Sequence, residues 1–327
     1  MEKFRVGIIG AGHIAEKMAW TLTQMPETEA YAIASRSIDK ARWFADKYGF
    51  HKAYGSYEEM LDDPQVELVY VATPHSFHHA HVRLCLEKGK PVLCEKAFML
   101  NRKEAEDVIA LAHEKGIFLA EAIWTRYEPS RGILQEIIES GEIGKPMFLK
   151  ASLSYPVADK ERLRRADLGG GALLDLGVYC INFALMNFGS DIESIKTSCT
   201  KNEEGMDMQE TFTFNYRDGR TAMLAASVLC ADDRQGTISG SEGYVIADNI
   251  NNPLRFDIYR RGGVHVRTVE APQQISGFEY QVQACIDAIR TGKIEPEAMP
   301  HSETLRVLEI MDNLRKEWGV TFPNEMH

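Results

Sequence analysis

Asp175 and Tyr179 stand four residues apart in Gly169-Gly170-Gly171-Ala172-Leu173-Leu174-Asp175-Leu176-Gly177-Val178-Tyr179, and they are the only strongly polar side chains in that stretch. On a helix this spacing stacks both on one face. A helix that is apolar all round belongs in a core, where a carboxylate or a phenol without a partner is costly. Two readings are open. Either the pair is satisfied inside the core, or it faces a pocket as a carboxylate and a proton-transfer group. Lys96 is the next candidate. It closes the apolar run Val92-Leu93-Cys94 beside Glu95, either as half of a surface ion pair or as a cation pointed at a ligand.

These residues need a scaffold, and the first 122 residues read as one. Arg5-Val6-Gly7-Ile8-Ile9 reads as a buried strand and residues 16–24 as a helix, joined by Gly10-Ala11-Gly12-His13-Ile14-Ala15. This is the G-x-G-x-x-A form of the dinucleotide fingerprint, placed between strand and helix as its mechanism requires. Gly10 permits the tight turn and Gly12 lets a pyrophosphate approach the backbone. Ala15 permits close helix–strand packing, with the phosphates over the helix N-terminus at His13 and Ile14. A purely structural glycine turn is the plainer alternative. The next strand, 30–34, ends in Ser35-Arg36-Ser37, where an NAD-binding fold commonly carries an acidic residue for the ribose 2′-hydroxyl. A carboxylate would repel a 2′-phosphate, whereas Ser35, Arg36 and Ser37 suit one, so NADP is expected in preference to NAD. A solvated Arg36, or one stacked on adenine, is the alternative.

The alternation continues with helices over 37–48, 79–88 and 102–115 and strands over 66–72, 91–94 and 118–122, with a turn and short helix over 54–62. Strands alternating with helices imply an α/β fold with a doubly wound parallel sheet, whose ligands sit at the carboxyl ends of the strands. That singles out Thr73-Pro74-His75, Glu95-Lys96 and Trp124-Thr125-Arg126. His75, His78, His79 and His81 lack a carboxylate or cysteine at ligand spacing, and two histidines on one helix face make a poor metal site. They are expected as solvated or cofactor-edge histidines, with no metal.

After Tyr127 the pattern changes. A helix over 128–140 is followed by strands over 147–155, 210–216, 221–229, 236–239, 244–248, 254–260 and 265–269, and helices over 277–291 and 302–318 end the chain. The expected arrangement is a second, α+β domain over 123–327 with a large, mostly antiparallel open sheet, helices on one face and another subunit on the other. A homodimer, or a dimer of dimers, follows from that face.

The 327 residues favour two domains, and a net charge of −11 argues against nucleic acid and anionic membrane as partners. No apolar run is expected to reach the length of a membrane span, about 18 residues. Met1-Glu2-Lys3-Phe4-Arg5 leads directly into a strand without a signal peptide, and the six scattered cysteines contain no CxxC pair. Reduced thiols in the cytoplasm are the expectation.

Together, Ala53-Tyr54-Gly55-Ser56-Tyr57-Glu58-Glu59, Val92-Leu93-Cys94-Glu95-Lys96, Glu121-Ala122-Ile123-Trp124-Thr125-Arg126-Tyr127, residues 169–179 and Gly319-Val320-Thr321-Phe322-Pro323 carry a resemblance. Over essentially its full length the chain resembles the Gfo/Idh/MocA oxidoreductases, within them the dimeric dihydrodiol dehydrogenases and NADP-dependent D-xylose dehydrogenases. The resemblance implies a Rossmann domain holding a nicotinamide cofactor and an α/β domain whose open sheet forms dimers. It implies that Lys96 sits beside nicotinamide and substrate, and that Asp175 lines the same pocket. It implies that Tyr179 is the tyrosine of this branch, at a position that is often histidine elsewhere in the family. The family's Glu-Lys-Pro is Glu95-Lys96-Ala97 here, which leaves the backbone after Lys96 less constrained.

The function expected on this basis is reversible oxidation of a hydroxyl on a sugar, such as an aldose, or on a cyclic diol. Tyr179 takes the hydroxyl proton; a phenol is a poor base at neutral pH unless a cation such as Lys96 stabilises its phenolate. Lys96 also donates to the substrate oxygen, and Asp175 orients the substrate or Lys96. Trp124 walls the cofactor or sugar ring, Arg126 reaches a cofactor phosphate or substrate oxygen, and Arg162 contacts substrate. A non-catalytic NADP-sensing regulator on the same fold is the alternative, as is a binding module with a vestigial cofactor site. The glycines before Asp175 are expected to let the helix start close against the nicotinamide.

Overall fold

The computed structural model describes residues 3–326, so the reading of Met1 and Glu2 as a direct lead into the first strand lies outside the described residues. Two compact units form. One comprises the chain up to Trp124, Gln274–Glu309 and the residues from Asn324; the other comprises Thr125–Gln273 and Ile310–Pro323.

In the first unit, strands and helices alternate: β1 (Phe4–Ile9), α1 (His13–Gln24), β2 (Thr28–Ala34), α2 (Ile38–Tyr48), β3 (Lys52–Tyr54), α3 (Tyr57–Leu61) and β4 (Leu68–Val71). Then come α4 (His78–Glu87), β5 (Val92–Glu95), α5 (Arg102–Lys115) and β6 (Leu119–Ala122). The sheet runs β3-β2-β1-β4-β5-β6 with every pair parallel. Strand order reverses between β1 and β4, and that switch point at the carboxyl ends is where such a sheet takes its ligand. Ile8, Ile9, Leu68, Val69, Val71, Val92 and Leu93 are all but inaccessible, as strands covered on both faces must be.

Residues 274–309, read from sequence with the second domain, cluster with this first unit. The reason is the open edge of β6. Leu119 N–H donates to the Ile294 carbonyl at 2.9 Å, His301 Nε2 lies 2.9 Å from the Leu119 carbonyl, and Thr304 Oγ1 donates to Glu121 at 2.9 Å. A returning segment thus satisfies backbone groups that an edge strand would otherwise leave bare.

The second unit opens with α6 (Pro129–Glu139), β7 (Pro146–Ser154) and α7 (Glu161–Arg164), followed by a π-helix over Leu173–Gly177 that runs into α8 (Val178–Phe188). Then come β8 (Ile192–Lys201), β9 (Asp207–Tyr216), β10 (Thr221–Ser227), β11 (Gly236–Gly240), β12 (Gly243–Ala247), β13 (Arg255–Arg260) and β14 (Val264–Glu270). The chain closes through α9 (Phe278–Arg290) and α10 (His301–Trp318). The eight-stranded sheet runs β14-β13-β12-β11-β7-β10-β9-β8, antiparallel except for β7 and β10. One face is buried by Leu149, Ala151, Phe212, Phe214, Ala222, Leu224, Val245 and Ile258. The opposite face carries Phe148, Met223, Tyr244, Ile246 and Tyr259, all at least partly exposed. β8 is absent from the sequence reading. Its Ile192-Glu193-Ser194-Ile195-Lys196-Thr197 is mostly polar, as an edge strand can be, and carries no clean apolar alternation.

One expectation is corrected. The helical run Ala166–Phe188 contains an 18-residue window of mean hydropathy 1.5, long and apolar enough to cross a membrane by length and composition. It is nevertheless 94% buried within the protein, as the core helix of a folded domain is.

Candidate active site

The loop after β1 is built for close approach. Gly10 has φ +97°, and a Cβ there would lie 2.8 Å from the Ala72 carbonyl oxygen. Only glycine joins β1 to α1 this tightly. A Cβ on Gly12, by contrast, would meet nothing within 4 Å, and Gly12 starts α1 without a side-chain cap. Ala15 is wholly buried while His13 is exposed and Ile14 half-buried. Helix amides with free space over a glycine fit a dinucleotide's pyrophosphate. At the end of β2, Ser35 is buried, its Oγ accepting from Ser37 N–H at 3.4 Å, and Arg36 is exposed. Ser37 caps α2 by accepting from Lys40 N–H. Burial, helped by His78 and then Arg36, lowers the His81 imidazole to about 4. It therefore stays neutral while its Nδ1 lies 2.9 Å from Thr73 Oγ1.

Glu95 and Lys96 end β5 on the same sheet edge. Glu95 is not a surface partner: it is buried, its carboxyl raised by that burial, and it accepts a short hydrogen bond from Tyr70. Lys96 is half-buried, and its peptide bond to Ala97 is cis. His75 and His78 hold the backbone that follows. His75 Nε2 lies 3.2 Å from the Lys96 carbonyl. His78 Nδ1 lies 2.9 Å from the Ala97 carbonyl and 3.1 Å from that of Phe98, and its Nε2 lies 2.8 Å from the Thr73 carbonyl. Both rings are buried, His78 completely, so neither is solvated as the sequence reading allowed. Pro74 is exposed. Trp124 is buried edge-on to Phe278 at 5.0 Å, with Lys17 Nζ 4.1 Å from its ring centre. Sequence reasoning missed Tyr70 and Lys17. A phenol inside the run Leu68-Val69-Tyr70-Val71 was the available signal for the first; Lys17 carried none.

In the second unit, the segment read as one helix begins as a π-helix, so the i, i+4 stacking of Asp175 on Tyr179 does not carry over unchanged. Asp175 is buried and takes a two-pronged grip from Arg162, with Nη1 and Nη2 donating to its two oxygens at 3.1 and 2.9 Å. The Arg162 side chain is 42% exposed, so the pair stands at the rim of its unit. Tyr179 is buried, 6% exposed. Arg126 is buried and donates from Nε to Asn182 Oδ1 at 2.5 Å, tying the start of this unit to α8. The glycines do a different job from the one expected. A Cβ on Gly170 would lie 2.7 Å from the Leu163 carbonyl oxygen, and one on Gly171, at φ +104°, would press on Asp207. They admit the unit's own backbone and a buried carboxylate.

Residues 4–122 match the family described as "Oxidoreductase family, NAD-binding Rossmann fold", and residues 133–246 match the "GFO/IDH/MocA C-terminal domain". The chain is 33% identical to mouse trans-1,2-dihydrobenzene-1,2-diol dehydrogenase, with 98% of each covered. It is 29% identical to a 3-ketoreductase from Actinomadura kijaniata solved with NADP and TDP-benzene, at a TM-score of 0.88 over 96% of this chain and 98% of that one. An aldose-aldose oxidoreductase from Caulobacter crescentus, 22% identical, shares the fold at a TM-score of 0.87 over 97% and 98%.

Proposed function

The chain belongs to the Gfo/Idh/MocA oxidoreductase family, and from that premise we propose that it oxidises a hydroxyl on a sugar or cyclic diol reversibly with NADP. The observation that carries this is Lys96 at the carboxyl end of β5, on the same edge of one parallel sheet as the Gly10–Gly12 loop. The names of its relatives, a dihydrodiol dehydrogenase and a ketoreductase bound to NADP, support the substrate and cofactor classes. Gly10, Gly12, His13, Ile14, Ser35 and Arg36 would hold the dinucleotide, and Ser35-Arg36-Ser37 without a carboxylate favours its 2′-phosphate. Thr73, Pro74, His75, His78, Glu95 and Trp124 belong to that half of the site, His75 and His78 by shaping the 96–98 backbone.

When bound, the nicotinamide supplies the hydride acceptor in oxidation and the donor in reduction. The chain's residues handle the proton and the charge. As the C–H bonding pair leaves the substrate carbon, Tyr179 takes the hydroxyl proton and a carbonyl forms; reduction returns that proton. Lys96 steadies the oxygen while negative charge develops and favours the phenolate of Tyr179. Asp175 orients the substrate, with Arg162 fixing its two oxygens and offering a further donor. Arg126 acts through Asn182 as a positioning residue for α8.

Assaying nicotinamide reduction with pentoses, hexoses, inositols and dihydrodiols tests the reading. Turnover with NADP is expected; cofactor binding without turnover on any of them would instead identify a sensing regulator. A homodimer through the open face of the second sheet belongs to the same proposal, supported by Phe148, Met223 and Tyr259 on that face. So does a cytoplasmic location, supported by six cysteines that are all free thiols.

A further inference from the structure

Two carboxylic acids lie behind the segment that carries Asp175 and Tyr179. Asp207 and Glu210 on β9 are 0% and 1% exposed. Their positions differ by three, so a regular strand would turn them to opposite faces. A bulge prevents this: Thr200 pairs with Gln209 while Lys201 pairs with Asp207, leaving Met208 as the extra residue. The bulge turns Asp207 to the buried face beside Glu210.

Asp207 meets the beginning of the π-helix. Its Oδ2 accepts from Leu173 N–H at 2.6 Å, and its Oδ1 is buried without a hydrogen bond. A Cβ on Gly171 would lie 2.2 Å from its Oδ1. The amides at a helix start have no partner within the helix, and in a core they must find one elsewhere. Glu210 lies against Gly177, two residues before Tyr179, with Oε1 where a Cβ on Gly177 would come within 2.8 Å. Both its oxygens are buried without a hydrogen bond, and burial raises it well above the carboxylate range. It fills the space beside Gly177.

We propose that Asp207 is a positioning residue: by accepting from the Leu173 amide, the first residue of the π-helix, it fixes the start of that helix, and so the direction in which Asp175 and Tyr179 project. The proposal rests on the reading of those two residues as substrate-facing. Glycines at 171 and 177 are what allow the segment to lie directly on the two acids. Burial, opposed by the Leu173 amide and by Arg315 from α10, brings Asp207 to about 7. Cys199 on β8 and Glu210 are the other ionisable groups near it. An oxygen acceptor is present in both protonation states, so the role belongs to the acceptor and not to the charge.

Hydrogen exchange on the wild-type protein tests the anchor without a variant. The Leu173 amide should exchange at least about 100-fold more slowly than an unstructured peptide, although it opens a helix. Exchange at the unprotected rate would overturn the proposal. Asp207→Leu removes the acceptor at similar volume and should lower kcat by about tenfold or more, with NADP affinity unchanged and faster exchange over 172–179. Asp207→Asn keeps an acceptor and should remain within about threefold of wild-type kcat. Equal impairment by Asn and Leu, or wild-type kcat and exchange in Asp207→Leu, would contradict it. If Tyr179→Phe turned over normally, the catalytic reading would fail, while the exchange data would still decide whether Asp207 anchors the segment.

Discussion

At the residue scale, chemistry was legible where residue type and spacing point at each other. Glycines at 10 and 12 before a helix, a lysine ending an apolar strand, and an acid and a phenol inside an apolar run were all visible in sequence. Their partners were not. Nothing in the sequence pairs Arg162 with Asp175 across 13 residues, or sends His78 to the Thr73, Ala97 and Phe98 carbonyls, because such bonds depend on how the chain folds back. Arg36 offers a test at this scale. It is exposed at the end of β2 with no acidic residue in Ser35-Arg36-Ser37. Arg36→Asp should raise KM for NADP by about tenfold or more, through loss of a charge-assisted contact and new repulsion of the 2′-phosphate, with a smaller effect on NAD. Steady-state kinetics with both cofactors measures this, and an unchanged NADP-to-NAD preference would remove Arg36 from the cofactor site.

At the element scale, strong periodicity was easy to read and edges were not. The parallel strands of the first unit are continuous apolar runs between turn signals, so their order of appearance was clear. β3 has three residues and β8 is largely polar, so neither carried a pattern that stands above a loop. The π-helix was invisible for another reason: one extra backbone residue per turn leaves the apolar composition untouched. The bulge at Met208 was hidden in the same way, since it reverses the period-2 reading locally. Met223 is 52% exposed in the middle of β10, beside inward residues that are buried. A charge at the centre of an apolar interface is strongly unfavourable, so Met223→Asp should shift sedimentation from dimer toward monomer at micromolar concentration. A dimer of unchanged stability would place the interface elsewhere.

At the scale of the whole molecule, the division into two units was expected from length, but the return of residues 274–309 to the first unit was not. Local sequence does not reveal which sheet edge a late segment will complete. Buried acids give the molecule a pH signature. Burial raises Glu210 well above its ordinary value, so the folded protein keeps a proton that the unfolded chain releases. Stability from this group is complete below the unfolded carboxylate range and falls as pH rises above it, at about 1.4 kcal/mol per pH unit until the folded group ionises. Asp207 adds a loss of the same sign up to its value of about 7. Glu210→Gln keeps the shape of the neutral acid and cannot ionise. Its Tm relative to wild type should therefore climb steadily from pH 5 to pH 8, and a constant difference would mean that Glu210 is solvated and ionised in the native state.

In the NADP-linked oxidation we propose, Tyr179 moves the proton and Lys96 steadies the oxygen. The most direct measurement is kcat for Tyr179→Phe and Lys96→Met on the best substrate, beside the NADP dissociation constant of each. Loss of a proton-transfer group lowers turnover by about 100-fold or more, so both variants should fall at least that far while Tyr179→Phe binds NADP as the wild type does. Near-normal turnover by either variant would remove that residue from the proton transfer and charge stabilisation.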